Sequence, residues 1–216
     1  MGCGRCESLE YYQRHNCEAY GVETDRNVSK IAEHFGFNVK IGLFAPENYE
    51  REFFDYVTLD TVLEHVIQPH DLFRGVHQIL KPGGKMIFNY PSEKSIGRFC
   101  FGKRWLHWHS PYHIHFFSKK SITKLASDNG FGIQMNKSIT DSIWLLWQWA
   151  HLFIHGRKGV ASTLWKSDGY FDSSTNKRWD IRLYLLLKLM RPHAFLTRFA
   201  DLCGLGDNQL CIFVKK

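Results

Sequence analysis

Residues 1–23, MGCGRCESLEYYQRHNCEAYGVE, place two glycines around a cysteine, a second cysteine three residues on, a helix-like run, and a short apolar stretch ending on an acid. The opening can be a nucleotide-binding turn, a CxxC metal or redox site, or an ordinary loop. The residues beyond the second cysteine separate these readings. Residues 7–15 have the pattern of a helix and CEAYGVE (17–23) that of a short buried strand. Glycines in such a turn let backbone N–H groups approach a ligand closely. Roughly 20 residues later Glu23 stands where an acid can accept both hydroxyls of a nucleoside ribose.

The same unit then repeats. A helix is expected from Asp25 to Phe35, and Gly36 and Asn38 break it before the strand NVKIG (38–42). FFDYVTL (53–59) reads as a third strand. DLFRGVHQIL (71–80) reads as an amphipathic helix that KPGG ends, and KMIFNYP (85–91) as a fourth strand. Strands alternating with helices predict an α/β fold, a doubly wound, mostly parallel sheet whose ligands sit at the carboxyl ends of the strands. Beyond Pro91 the aromatic and histidine-rich run 92–117 reads as a long irregular loop over a pocket. Helix 118–129, with Ser118 as its N-cap, strand 130–139 and a last strand 208–216 complete the pattern.

Composition narrows the class. A chain of 216 residues with 44% hydrophobic content is globular. It opens on no basic-then-apolar leader, which points to the cytoplasm, and there its six cysteines are expected to be reduced. Charge is uneven: residues 1–90 hold 9 Lys/Arg against 13 Asp/Glu, a net −4, while residues 91–216 hold 19 against 8, a net +11. The basic half is either a solvated face or a surface for an anionic partner.

GCG before a helix, YGVETD, FDYVTLDTVLEHV, ILKPGGKMIFNYP and PYHIHFFSKKSITKLASDNGF occur here in one order. That order and spacing resemble the class I S-adenosylmethionine-dependent methyltransferases, in particular the branch of ubiquinone-type O-methyltransferases and small-molecule methyltransferases. The resemblance covers residues 2 to about 140 and the final strand. It implies a Rossmann-like fold (core 1–140), a helical insertion (141–206) and a final antiparallel strand (207–216), with S-adenosylmethionine as cofactor. It also implies roles for particular residues. Gly2, Cys3 and Gly4 form the turn under the cofactor's methionine part, and Glu23 is the ribose ligand. Leu43 and Phe44 flank the adenine, and Leu59, Asp60 and Thr61 line the sulfonium side. Glu64 and His65 belong to an LEH signature beside the pocket. Tyr90, His109 and His115 lie on the substrate side, where His113 matches a histidine of the relatives.

Methyl transfer is an in-line displacement that an enzyme can promote chiefly by positioning. A base is needed only when the acceptor loses a proton, and histidine suits a hydroxyl or phenol near neutral pH. His113 is the first candidate for that role and His65 the second. The implied function is therefore O-methylation of a small-molecule or lipid-linked acceptor, with a non-catalytic binding or membrane-associated module as the alternative. CGRC as a redox dithiol finds no support in the rest of the chain, and no metal is expected, because Cys203 and Cys211 make no second close pair. NYPS (89–92) comes one strand too late for a nucleic-acid amino-methyltransferase, so nucleic acid is not an expected partner.

Two apolar helices are expected at 142–155 and 180–203, and their apolar runs, 142–155 and 182–196, each fall short of the ~20 residues that span a bilayer. They would serve as a lid, a homodimer contact, or a peripheral anchor at the inner face of the membrane. The fold also calls for a strand that delivers the glycine turn, and Met1 stands where its last residues would be. The chain is therefore expected to lack its first strand, and to bind its cofactor weakly as written. Cys6 replaces a third turn glycine, where its side chain would crowd the cofactor.

Overall fold

A computed structural model describes residues 1–141, 144, 145, 148, 152 and 192–216. Its main elements are α1 (Glu7–Arg14), β1 (Tyr20–Glu23), α2 (Val28–Phe35), β2 (Asn38–Ile41), β3 (Phe54–Asp60), α3 (Pro69–Ile79) and β4 (Leu80–Pro91). They continue with α4 (Ile96–Phe101), α5 (Lys119–Asp128), β5 (Phe131–Ile139), α6 (Pro192–Leu202) and β6 (Asn208–Lys215). The fold is α/β with a mostly parallel sheet and one antiparallel strand. The backbone gathers into two compact units. The first comprises Met1–Tyr90, Lys119–Met135 and Cys211–Lys216, and the second Pro91–Ser118 and Asn136–Leu210.

In the first unit the core is an aromatic cluster. Helix α3 starts on Pro69, whose missing N–H costs nothing at a first helical position, and buries Leu72, Phe73, Val76 and Ile79 on one face. The Phe73 ring lies 5.9 Å from Phe88 of β4, 5.7 Å from Phe131 of β5 and 6.3 Å from Phe213 of β6. One helical side chain thus ties three strands together. Gly75 on the same helix admits the ring of Phe44, since a Cβ there would stand 2.8 Å from it.

Strands β1 and β2 pair in parallel, Tyr20 opposite Asn38 and Glu23 opposite Ile41, and β3 pairs in parallel with β4, Asp60 opposite Asn89. The larger sheet runs in the order β3-β4-β6-β5. Two sheets therefore stand where the sequence pattern predicts one. Met1–Cys3 connects them: the Met1 amino group donates to the Thr58 carbonyl of β3 at 2.7 Å. Gly2 and Cys3 N–H both donate to the Val22 carbonyl of β1, at 2.8 and 3.2 Å.

Some expected boundaries shift. The first strand starts at Tyr20 instead of Cys17, and the KPGG turn is absorbed into β4, which begins at Leu80. There the register slips between Phe54 and Tyr56, and a Cβ on Gly84 would stand 2.8 Å from the Lys81 carbonyl oxygen. In the second unit, the stretch expected to be an irregular loop holds α4 and two turns of 3₁₀ helix, Gly102–Arg104 and Leu106–Trp108. Side chains supply the reason. Ser95 caps α4 by accepting the Arg98 N–H at 3.1 Å, and its hydroxyl donates to Asp207. Asp207 also accepts the Trp105 indole N–H at 3.3 Å. The expected helix 142–155 lies outside the described residues apart from single positions, and the expected helix 180–203 is described only as α6.

Phe73→Ala should cost about 3–5 kcal/mol, because it empties the junction of three strands. Urea unfolding followed by circular dichroism measures this.

Candidate functional site

The carboxyl ends of β1, β2 and β3 carry the first group of candidates. Glu23 closes β1, half-buried, and its carboxylate is already held. Oε2 accepts the Gly4 N–H at 2.8 Å, and Oε1 accepts the N–H groups of Thr24 at 2.7 Å and Asp25 at 3.1 Å. The glycine turn and the acid, 19 residues apart in sequence, are thus one hydrogen-bonded unit. Gly4 has φ +49° and open space around a would-be Cβ, whereas a Cβ on Gly2 (φ +64°) would stand 2.6 Å from a Val62 methyl. Gly4 keeps the turn uncovered, and Gly2 lets it pack.

Cys6 takes the position of a third glycine in fact as well as in pattern, with φ +67° at the N-cap of α1. Its side chain is fully buried with Leu9 and Val28, so it leaves the turn's surface clear instead of crowding it. Burial pushes the Cys3 thiol up to about 12, with Cys6 and Glu23 adding to the effect, and burial raises the Cys6 thiol as well. Such thiols stay protonated near neutral pH and are poor nucleophiles.

Beside Glu23, the Gly42 N–H donates to its carbonyl at 2.7 Å, and Leu43 then projects 84% exposed. Phe44 instead turns inward over Gly75 and stacks near Tyr49, with ring centroids 6.3 Å apart. At the end of β3, Asn89 of the neighbouring strand clamps the next turn. Its Nδ2 donates to the Asp60 carboxylate at 2.7 Å and its Oδ1 accepts the Thr61 N–H at 2.8 Å. Thr61 can then hold φ +49°. Leu59 and Tyr90 are core residues, with Tyr90 stacked on Phe88 and beside Cys211.

Glu64 is the residue that sequence reasoning set beside the pocket without giving it a role. It lies in the short turn Leu63–His65, fully buried, and burial together with the Asp60 charge raises its carboxyl to about 7. A carboxyl poised there exchanges a proton near neutral pH. Its sequence signal is an acid between Leu63 and His65, in the LEH signature just after a strand. His65, next to it, is exposed.

The remaining candidate histidines, His109, His113 and His115, belong to the second unit, as does His107. His107 is buried against Trp105 and Trp144, at 5.2 and 5.0 Å between ring centroids, and burial lowers it to about 4. It stays neutral and acts through its backbone. Its carbonyl oxygen lies 2.7 Å from His113 Nδ1. A carbonyl only accepts, so Nδ1 carries the proton, and the lone pair of the neutral ring is on Nε2. His109 stacks on Tyr112 at 4.9 Å and meets His113 edge-on at 5.1 Å. His115 is half-buried beside Phe117.

The raised Glu64 carboxyl has a stability consequence. Between its ordinary 4.5 and about 7 the folded chain binds a proton that the unfolded chain has released. Stability therefore falls as pH rises through that window and levels off above it. Glu64→Gln should remove up to roughly 3 kcal/mol of this dependence, read as the difference between wild-type and variant urea midpoints at pH 5 and pH 8.

Residues 1–134, more than half of the chain, match a family described as a methyltransferase domain. A curated relative, an uncharacterised protein of Methanocaldococcus jannaschii, is 28% identical over 114 residues, 51% of this chain and 54% of the relative. The chain thus spans about half the length of the curated relative it matches. Among solved structures, a SAM-dependent methyltransferase of Archaeoglobus fulgidus is similar with a TM-score of 0.58 at 18% identity, over 99% of this chain and 83% of that one. Another, from Mesorhizobium loti, has a TM-score of 0.57 at 12% identity, over 99% and 88%. Phosphoethanolamine N-methyltransferase 2 of Haemonchus contortus, in complex with S-adenosyl-L-methionine, has 0.60 at 16%, over 99% and 47%. At these identities the structures speak for the fold. The chain belongs to the methyltransferase-domain family and has the Rossmann-like fold of the class I S-adenosylmethionine-dependent enzymes.

Proposed function

We propose that this chain methylates a hydroxyl group of a small-molecule or lipid-linked acceptor, with S-adenosylmethionine as methyl donor. The observation that carries the reading is the unit of Gly4 and Glu23, a bare glycine turn bonded to an acid at the strand end. These residues fit a nucleoside. Glu23 offers carboxylate oxygens to ribose hydroxyls, Leu43 offers an exposed apolar surface to a base, and the backbone at Gly4 permits close approach. When bound, the cofactor supplies a sulfonium methyl group open to in-line displacement.

The chain's own residues then have two tasks. The Asp60–Asn89–Thr61 clamp holds the end of β3 in one conformation, which favours a fixed orientation over the turn. His113 takes the acceptor's proton on Nε2, since its Nδ1–H is committed to the His107 carbonyl and cannot change places. Glu64 is a second group able to hold a proton near pH 7.

Calorimetry with S-adenosylhomocysteine checks the first half: Glu23→Ala should weaken binding at least about tenfold, by removing charge-assisted bonds to the sugar. Equal affinities would overturn it. Methyl transfer to phenols, quinol precursors and lipid-linked sugars checks the second. His113→Ala should lower the rate by about 10²–10⁴ while leaving the S-adenosylhomocysteine affinity unchanged. Binding with no turnover on any hydroxyl acceptor would favour a non-catalytic module.

A further inference from the structure

In the second unit, a cavity of about 640 Å³ opens between Lys94, Arg98, Lys103, Phe99, Trp108 and Leu205. Three of these residues are cations, against the single carboxylate of Glu93 in the same lining. Arg98 is held in place: it donates to the Glu93 carbonyl and lies over the Trp108 ring, 5.5 Å from its centroid. Trp108 is in turn fixed by its indole N–H on the Gly102 carbonyl at 2.8 Å. The cavity thus offers a pre-positioned guanidinium with two flexible lysines at its edge, the arrangement that suits a phosphate.

Its surroundings are apolar and outward-facing. Phe99 is 90% exposed and Ile96, on the same helix, is also exposed. The Ile96 N–H donates to the Leu205 carbonyl at 2.8 Å, which ties α4 to the chain just beyond α6. Helix α6 buries Thr197 and Ala200, yet turns Phe195, Leu196, Phe199 and Leu202 to the outside, with Leu202 87% exposed. Positions 195, 199 and 202 follow helical spacing, so they form a stripe. An outward apolar stripe on one helix, large apolar side chains on the next and a basic cavity beside them match a surface that lies in a bilayer interface. There apolar groups enter the acyl boundary and cations stay at headgroup level.

We propose that this face of the second unit docks on a membrane of anionic glycerophospholipid, with a lipid phosphate taken by Arg98, Lys94 and Lys103. The charge of the cavity selects lipid over an apolar protein partner, which would leave three cations opposite nothing. Among the described residues no helix is long and apolar enough to cross a membrane, so the contact is by lying on the surface. The inference stands on residues apart from the Gly4–Glu23 site, and goes beyond the methyl-transfer reading.

The test is co-sedimentation of the full chain with vesicles of phosphatidylcholine alone or with about 30% phosphatidylglycerol. Binding is expected only to the anionic vesicles. It should weaken at least about tenfold in Arg98→Glu/Lys103→Glu, and also in Phe99→Ser/Phe199→Ser. Each variant's fold is checked by circular dichroism, and its S-adenosylhomocysteine affinity should match the wild type. Absence of binding to anionic vesicles overturns the proposal. So does wild-type binding by the double phenylalanine variant, which would reduce the contact to bulk electrostatics. Charge-dependent binding of free glycerol phosphate without vesicle binding would assign the cavity to a soluble anion and overturn it too. A dimer in light scattering that the phenylalanine variant dissolves, again without vesicle binding, would make the stripe a self-association face and have the same effect.

Discussion

Parallel pairing is the constraint from which the candidate cofactor site follows. When β1 and β2 run in the same direction, their carboxyl ends finish side by side, and Glu23 comes to lie opposite Ile41 in register. The residues just beyond, Thr24 and Asp25 on one side and Gly42 and Leu43 on the other, are then neighbours without any sequence proximity. The same logic brings Asn89 of β4 opposite Asp60 of β3. The turn that leaves β3 is tight, with Thr61 at positive φ, and Gly4 and Cys6 hold positive φ in the turn that precedes α1 and is bonded to Glu23.

An apolar junction holds the strands of the larger sheet together. Phe73 touches rings from β4, β5 and β6, and Phe88 and Phe213 meet edge-on at 4.9 Å. Close packing of this kind resists small displacements, because shifting one ring disturbs the others. Cys6 and Leu9 do the corresponding work under the glycine turn. The turn's geometry therefore rests on side chains that would never contact a ligand. That explains why a cysteine is accommodated at a position whose backbone favours glycine.

Electrostatics separates two kinds of ionisable group. Glu64 is buried close to the Asp60 charge and is raised toward neutrality, where it can exchange a proton. Asp207 is also buried, and burial raises it, but bonds from Ser95 and Trp105 stabilise its ionised form and oppose the shift. The first has the properties of a reactive group, the second of a structural staple. His107 and His113 divide in the same way: one is neutralised by burial and lends a carbonyl, the other is oriented by it.

The alternation of strand and helix, the glycine turn and the acid that follows were legible in the sequence, because they depend on local periodicity and on a residue type that only one backbone geometry requires. The order of the elements was legible for the same reason, and with it the methyltransferase family. The helix within the aromatic stretch 92–117 and the inward turn of Phe44 were not. Each depends on a partner distant in the chain: Asp207 stands 112 residues from the Ser95 that it anchors, and Phe44 answers to a glycine on α3. Glu64 could be read as an acid after a strand, but its raised carboxyl comes from burial and a neighbouring charge, which exist only once the chain is folded. Sequence determined which residues could do chemistry. Tertiary packing decided which of them are desolvated, oriented or merely structural.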